Sequence, residues 1–463
     1  MAEITAGIFK KYDIRGRAEG TQAVITVEAA RLTGQAFGTI LQRIEGQRTV
    51  VVGHDNRRTS PALYAAVMEG LAASGCDVTG LGLVSTPVVY SHAVQRGNCG
   101  GVMVTGSHLA PDQNGFKLSV GARNLYGDGI QALRQLIAAD DLEVGSGLQR
   151  DDHDARAAYL DDLAGRINPE RPLRVVIDAG NGTGGLFAPD LMQRWGHTVL
   201  DCLYCEPDGS YPNHQPDPSE PKNMVALGKR VRELGADVGI AFDGDADRMG
   251  AVDEQGRLIA ADRLLALLAR DVLSRQPGAA VVADVLSSQV LFDDVATHGG
   301  KPVMWISGHS LIKAKMVELS APLGGEMSGH IFLAEDYYGF DDAYLVAGRL
   351  LRLLAASGQT LSELDASLPT LYSTPEYRPR CPDEVKQAVI EGVKAALAGS
   401  GEMVDVDGLR IRFPRGWGLL RASNTEPVLS LRFEGETEAD AAAIRERFLT
   451  ALAQFPVVEA VQV

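Results

Sequence analysis

The chain is predicted to be α/β: three similar mixed-sheet α/β domains plus a C-terminal α+β domain, set around a central cleft. Three observations predict this. Short β-branched runs alternate with helical segments as far as residue 368, a polar glycine-containing loop recurs at the same place in three successive stretches, and from residue 369 the pattern changes to grouped strands followed by a helix. A length of 463 residues also exceeds one ordinary domain of ~100–150 residues.

The first strand of each stretch is a continuous apolar run: Thr49-Val-Val-Val-Gly, Arg174-Val-Val-Ile-Asp and Ala280-Val-Val-Ala-Asp. Runs without polar alternation suit a sheet covered on both faces. Helices are expected next over 60–74, 185–195 and 289–298, and second strands over 76–81, 197–203 and 302–306. A further strand or turn then leads into Thr105-Gly-Ser-His-Leu-Ala-Pro, Asp243-Gly-Asp-Ala-Asp-Arg or Gly325-Glu-Met-Ser-Gly-His. The order repeats while the gaps differ, so the repeat is one of topology and not of residue identity. Open α/β sheets bind ligands beyond the carboxyl ends of their strands, so three such modules can enclose one cleft.

In the tail, strands are expected over 407–413, 418–422 and 428–434, then an alanine-rich helix over 437–452, an antiparallel α+β order. The polar stretch 145–154, Asp253-Glu-Gln-Gly and Leu368-Pro-Thr-Leu place the boundaries. The expected domains are 1–150, 151–254, 255–368 and 369–463.

A formal charge of −16 argues against nucleic acid or an anionic membrane as partner. The longest apolar stretches fall far short of the ~20 residues that span a bilayer. The N-terminal segment has no secretory core, and five cysteines are an odd, sparse set, so a reducing cytoplasm and no disulfide framework are expected. Cys202 and Cys205 form a lone C-x-x-C without the second pair that a closed zinc site needs, and are expected to be small residues at a strand end.

The strongest chemical signal is Asp243-Gly-Asp-Ala-Asp-Arg after a strand. Carboxylates at alternate positions around a glycine converge on a hard cation, and three like charges packed together cost energy unless a cation offsets them. A calcium hand would need glycine where Arg248 stands and helices on both sides. In Thr105-Gly-Ser-His, Ser107 lacks the flanking glycines of a hydrolase elbow, since Thr105 and Leu109 occupy those positions. A serine beside a metal can instead carry a phosphoryl group, with His108 and Lys117 supplying charge or protons. Glu326, Ser328 and His330 offer a carboxylate, a hydroxyl and an imidazole to a polyol. Arg421-Ala-Ser-Asn-Thr offers a guanidinium fork, hydroxyls and backbone N–H groups to a phosphate.

Together with Asp13-Ile-Arg-Gly, these loops resemble the ordered motif set of the α-D-phosphohexomutases along essentially the whole chain. Gly325-Glu-Met-Ser-Gly-His resembles the phosphomannomutase/phosphoglucomutase branch, while phosphoglucosamine mutases usually show Gln in place of Met327. The resemblance implies a heart-shaped, four-domain enzyme that interconverts hexose 1-phosphate and hexose 6-phosphate, of mannose or glucose, through a phosphoserine and a bound hexose 1,6-bisphosphate. It implies Ser107 as phosphoserine, and Mg²⁺ held by the Ser107 phosphate, Asp243, Asp245 and Asp247. Lys117 and His330 would move the hydroxyl proton, while Tyr12, Arg15, His108 and Arg248 line the phosphoserine side. His309, Glu326 and Ser328 would read sugar hydroxyls, and Arg421, Ser423, Asn424 and Thr425 would grip the distal phosphate. The expected partner is a small phosphosugar, and the expected assembly a monomer or homodimer. Leu109 stands where the family usually has Asn, and Leu286 and Gln289 where relatives often carry Lys and Arg, which bears on sugar preference. A phosphoglucosamine mutase, a phosphosugar-binding protein without turnover and a metal-dependent phosphohydrolase are the alternatives.

Overall fold

A computed structural model of the chain describes residues 4–423 and 426–461. It falls into two compact units, Met1–Leu264 with Ser328–Leu364, and Leu265–Met327 with Asp365–Val463.

The first unit holds two mixed sheets. One contains β1 (Ile14–Arg17), β2 (Thr49–His54), β3 (Asp77–Leu83), β4 (Gly100–Val104), β5 (Gln113–Val120), β6 (Arg123–Asn124) and β7 (Gln149–Asp151). Its order is β1-β5-β4-β2-β3-β7, with β6 on β5. The interior pairs β4–β2 and β2–β3 are parallel, while β5 runs antiparallel to both β4 and β1. The predicted run Val50–Val52 is fully buried, as expected for a strand covered by helices on both faces. The second sheet contains β8 (Arg174–Asp178), β9 (Thr198–Leu203), β10 (Val238–Phe242), β11 (Met249–Val252) and β12 (Leu258–Ile259), in the order β12-β11-β10-β8-β9. Here too β10, β8 and the edge strand β9 are parallel, and β11 turns back antiparallel on β10.

In the second unit β13 (Ala280–Asp284) lies between β14 (Lys301–Trp305) and β15 (Leu323–Gly325), all parallel. β16 (Ile331–Leu333) belongs to the first unit. The tail forms an antiparallel sheet, β17 (Tyr372–Ser373), β18 (Glu402–Val404), β19 (Leu409–Phe413), β20 (Gly416–Ala422) and β21 (Leu429–Gly435), in the order β17-β21-β20-β19-β18. Helices Lys386–Ala396 and Glu438–Leu452 close its core through Val389, Val393, Ile444 and Phe448. The Thr437 side chain caps the last helix by accepting from the Asp440 N–H at 3.2 Å.

Observed elements agree with the expected ones to within a few residues, with three differences. The helix expected over 185–195 divides into a 3₁₀ turn at Thr183–Leu186 and a helix at Ala188–Arg194, because Pro189 supplies a fresh helix start. The helix Lys386–Ala396 and the short strands β17 and β18 carry no strong sequence period. Cys202 and Cys205 are paired as a disulfide, contrary to the expectation of unpaired small residues. Tyr204, at φ +52°, folds the chain back so that Cys205 returns alongside the end of β9.

Candidate active site

Two groups of predicted residues assemble, one in each unit. In the first, the chain leaves β4 through Thr105-Gly106-Ser107, and Ser107 adopts φ +47°. Few non-glycine residues enter that left-handed region, and they do so where surrounding contacts enforce it. Those contacts come from Asp55 and Arg57 at the end of β2. Asp55 Oδ2 accepts from the Thr105 hydroxyl at 2.9 Å and the Gly106 N–H at 3.1 Å. The Arg57 guanidinium, 1% exposed, donates to the carbonyls of Ser107 and Leu109 at 2.7 Å each, Ala110 at 2.5 Å and Gln113 at 3.0 Å. One planar fork thus ties the whole loop into a fixed curve. From the neighbouring sheet, the Gln215 amide donates to the His108 carbonyl.

The acidic loop follows β10. Asp243 Oδ1 accepts from the backbone N–H groups of Asp247 at 3.0 Å and Arg248 at 3.1 Å, curling the loop so that the three carboxylates converge. Their oxygens lie within 4.8 Å of one another, and all three side chains are buried. Ser107 Oγ donates to Asp243 Oδ2 at 2.7 Å, and His108 Nδ1 lies 3.2 Å from the same Oγ. Gly244 permits this approach, since a Cβ there would come within 2.4 Å of the Ser107 carbonyl oxygen.

Lys117, on β5, reaches Asp245 Oδ2 at 2.7 Å and also pairs with Asp247. Thr86 Oγ1 donates to Asp245 at 2.5 Å. Even so, Asp245 Oδ1 and Asp247 Oδ1 are buried without a hydrogen-bond partner, so the donor set fits a hard divalent cation. Burial, then the Asp247 and Asp245 charges, push the Asp243 carboxyl well above the ordinary carboxylate range. Burial acts on Asp245 in the same direction, but the Lys117 charge and hydrogen bond prevail and hold it below that range. Burial opposes the Lys117 ammonium, yet Asp245 and Asp247 outweigh it and keep the amine protonated. Burial and then the positive charges of Arg248, Arg15 and Lys117 push the His108 imidazole far down, so it is neutral at pH 7.

Arg15 sits on β1, paired with Asp13 and placed opposite Gly115 of β5, with half-buried Tyr12 just before it. Arg248 Nε donates to His330 Nε2 at 2.9 Å, and His330 Nδ1 lies 3.0 Å from Asp341 Oδ2. Ser328 also belongs to this unit and is half-buried.

The second unit gathers the other group. The Gly308 N–H donates to Glu326 Oε1 at 2.6 Å just before His309 opens the helix His309–Leu319. Ser307 Oγ donates to Asp284 Oδ2 at 2.9 Å, and Asp407 Oδ2 joins the Ser307 N–H at 3.3 Å to Arg421 Nε at 2.9 Å. Glu326 and Arg421, the latter through Asp407, therefore meet the same Ser307–Gly308 segment, with His309 next along the chain. Ser423 stands at the end of β20, accepting from the Glu426 N–H at 3.2 Å, and Asn424 and Thr425 lie outside the described residues.

The departures have structural partners. Leu109 contributes its carbonyl to Arg57, a role that does not depend on its side chain. Leu286 packs with Val285, Trp417 and Leu419, and Gln289 bonds Asp293 at 2.9 Å and Arg410 at 3.4 Å. Sequence reasoning missed Asp55, Arg57, Thr86, Asp341 and Asp407. Only His54-Asp-Asn-Arg-Arg, a dense polar run directly after a buried strand, carried a signal that could have exposed the first two.

Comparison with known proteins covers nearly the whole chain. Residues 6–143, 157–256 and 260–372 match "Phosphoglucomutase/phosphomannomutase, alpha/beta/alpha" domains I, II and III, and residues 376–451 match the C-terminal domain of the same family. The chain is 43% identical over 446 residues to a phosphomannomutase/phosphoglucomutase of Pseudomonas aeruginosa, covering 96% of this chain and 95% of that one. It is 42% identical to a phosphoglucomutase of Neisseria gonorrhoeae, covering 98% and 99%. A crystal structure of a phosphoglucomutase/phosphomannomutase family protein from Burkholderia thailandensis superposes with a TM-score of 0.93 at 40% identity, covering all of both chains.

Proposed function

Because the chain belongs to the phosphoglucomutase/phosphomannomutase family, we propose that it interconverts hexose 1-phosphate and hexose 6-phosphate, of mannose or glucose, through phosphoserine at Ser107 and a bound hexose 1,6-bisphosphate. The observation that carries this reading is the buried Ser107 hydroxyl, held in a left-handed turn 2.7 Å from Asp243 beside three converging carboxylates.

In the forward half-reaction the bond from phosphorus to Ser107 Oγ breaks as one forms to the free sugar hydroxyl, and the hydroxyl proton passes to a neighbouring base. The return step reverses this at the other phosphate. Asp243, Asp245 and Asp247 would hold Mg²⁺, which when bound supplies positive charge to the phosphoryl oxygens. Lys117, kept protonated by Asp245 and Asp247, adds a second fixed positive charge. It thus serves as a charge and a proton donor. Neutral His108 exchanges a proton with Ser107 Oγ when that oxygen attacks or leaves. His330, whose Nε2 accepts from Arg248 Nε at 2.9 Å, is a candidate for moving the sugar hydroxyl proton. Glu326 and His309 read sugar hydroxyls, and Arg421 faces the phosphate that is not being transferred.

Among the described residues, no helix is long and apolar enough to cross a membrane. The test is phosphorus NMR of the protein with Mg²⁺ and a trace of glucose 1,6-bisphosphate, adding mannose 1-phosphate and glucose 1-phosphate in turn. Conversion to 6-phosphates without free phosphate is expected, and is lost in Ser107→Ala. Release of free phosphate would replace the mutase with a hydrolase, and absence of any turnover would leave a binding protein.

A further inference from the structure

The six carboxylate oxygens of the acidic loop do not have equivalent neighbours. Asp243 Oδ1 accepts from the Asp247 and Arg248 N–H groups, and its Oδ2 accepts from the Ser107 hydroxyl at 2.7 Å. Asp245 Oδ2 accepts from two side chains, the Lys117 ammonium at 2.7 Å and the Thr86 hydroxyl at 2.5 Å. Lys117 also donates to Asp247 Oδ2. Asp245 Oδ1 and Asp247 Oδ1 are buried without a hydrogen-bond partner. The donors therefore sort the oxygens, tying down one on each of these two aspartates and leaving the other open to a cation.

Thr86 is fully buried and opens the helix Thr86–Gln95, which follows β3. Its N–H donates to the Asp245 carbonyl at 3.0 Å, so its backbone and its side chain grip the same residue. The positive end of the helix dipole faces the acidic loop there. Next to it, the Ser85 hydroxyl donates to Thr183 Oγ1 at 2.9 Å, and the Thr183 N–H donates to the Gly244 carbonyl at 2.9 Å. Two adjacent residues after β3 thus fix two adjacent residues of the acidic loop.

We propose that Thr86 is a positioning residue for the cation: by holding Asp245 Oδ2 it leaves Oδ1 as the one oxygen Asp245 can offer, and so suits the site to Mg²⁺ over Ca²⁺. Mg²⁺ demands near-ideal octahedral geometry at short distances, which the narrow bite of a two-oxygen carboxylate distorts. Ca²⁺ takes more oxygens at longer distances and accepts such a carboxylate readily. Without the Thr86 hydroxyl, only Lys117 restrains Asp245 Oδ2, and Lys117 is shared with Asp247. Asp245 is then able to turn both oxygens toward the ion. Thr86 acts through Asp245, as the outer partners of metal ligands do. The assignment rests on the reading of Asp243, Asp245 and Asp247 as the Mg²⁺ site of the proposed mutase.

The test is calorimetric titration of the chelator-stripped full chain with MgCl₂ and with CaCl₂, in the absence of sugar phosphate. The wild-type protein is expected to bind Mg²⁺ more tightly than Ca²⁺. T86V keeps the shape and the backbone N–H but removes the hydroxyl. It should lose roughly tenfold in Mg²⁺ affinity, while its Ca²⁺ affinity changes by less than about threefold. T86S retains the hydroxyl and should bind both ions as the wild type does. Wild-type chain that binds Ca²⁺ as tightly as Mg²⁺ would overturn the proposal without recourse to any variant. So would T86V with unchanged Mg²⁺ affinity, T86V with equal losses for both ions, or T86S that behaves like T86V. If the wild type binds neither ion, the Mg²⁺ reading and this proposal fall together. A preference for Mg²⁺ that T86V loses and T86S keeps supports the role of Thr86 whether or not sugar phosphates are turned over, so failure of the mutase reading alone is seen separately, by phosphorus NMR.

Discussion

Ser107 Oγ donates to Asp243 Oδ2 at 2.7 Å, a contact that joins segments 136 residues apart and puts the serine loop of one sheet against the acidic loop of the next. The serine holds φ +47° to make it. A side chain with Cβ in that region costs ~1–2 kcal/mol, which glycine escapes in exchange for ~0.5–1 kcal/mol of unfolded-state entropy. Ser107→Gly is therefore expected to be more stable than Ser107→Ala by up to about 1 kcal/mol in urea unfolding, with both inactive. A less stable glycine variant would mean that the turn is not strained.

Arg57→Lys tests the loop fork. A lysine ammonium cannot reproduce the planar array that serves four carbonyls, of which that of Ser107 is buried and those of Leu109, Ala110 and Gln113 belong to half-buried residues. Activity is expected to drop by about a hundredfold and stability by roughly 2–3 kcal/mol, measured as kcat and as the urea midpoint. Near-wild-type kcat would show that the serine loop keeps its curve without the fork.

Lys117→Met leaves Asp245 and Asp247 buried without their cation. Removing one partner from such a pair costs about 3–5 kcal/mol. A divalent ion would replace part of the lost charge, so the variant's melting temperature should rise more on adding Mg²⁺ after chelation than the wild type's does. Equal rises would separate the lysine from the cation site.

His197 supplies a pH dependence away from the active site. Its Nδ1 accepts from the Leu173 N–H at 3.1 Å, and burial lowers the imidazole from its ordinary 6.5 to about 4. Between those values the unfolded chain binds the proton and the folded chain does not, so stability falls as pH drops from about 6.5 to about 4, by about 3 kcal/mol in all. His197→Asn keeps an acceptor for Leu173 and should flatten that slope, read by urea unfolding at pH 7 and pH 5. An unchanged slope would assign the acid sensitivity to other groups.

The repeated order of strand, helix, strand and polar loop was legible because burial on both faces of a sheet demands unbroken apolar runs such as Val50–Val52, and glycines mark where those runs end. Asp243, Asp245, Asp247, Ser107 and Lys117 were legible as well, since each lies in a short local pattern whose chemistry has few other uses. Arg57, Thr86 and Asp407 were not. Each acts on a group far away in the chain, and a single arginine or aspartate in a loop has no local periodicity to set it apart. The pairing of Cys202 with Cys205 was lost for a similar reason, because it depends on the left-handed turn at Tyr204 and not on spacing alone.

The sequence by itself determined the α/β modules, the antiparallel tail and which polar loops are candidates for chemistry, all of which follow from local hydrophobic period and residue type. Only the tertiary structure decided which oxygen Ser107 faces, that Lys117 stays protonated between two aspartates, and that Arg248 Nε meets His330 Nε2. Those outcomes depend on burial and on distances between remote segments, and hydrogen bonding and charge interactions change steeply over the few ångströms that only the folded chain sets.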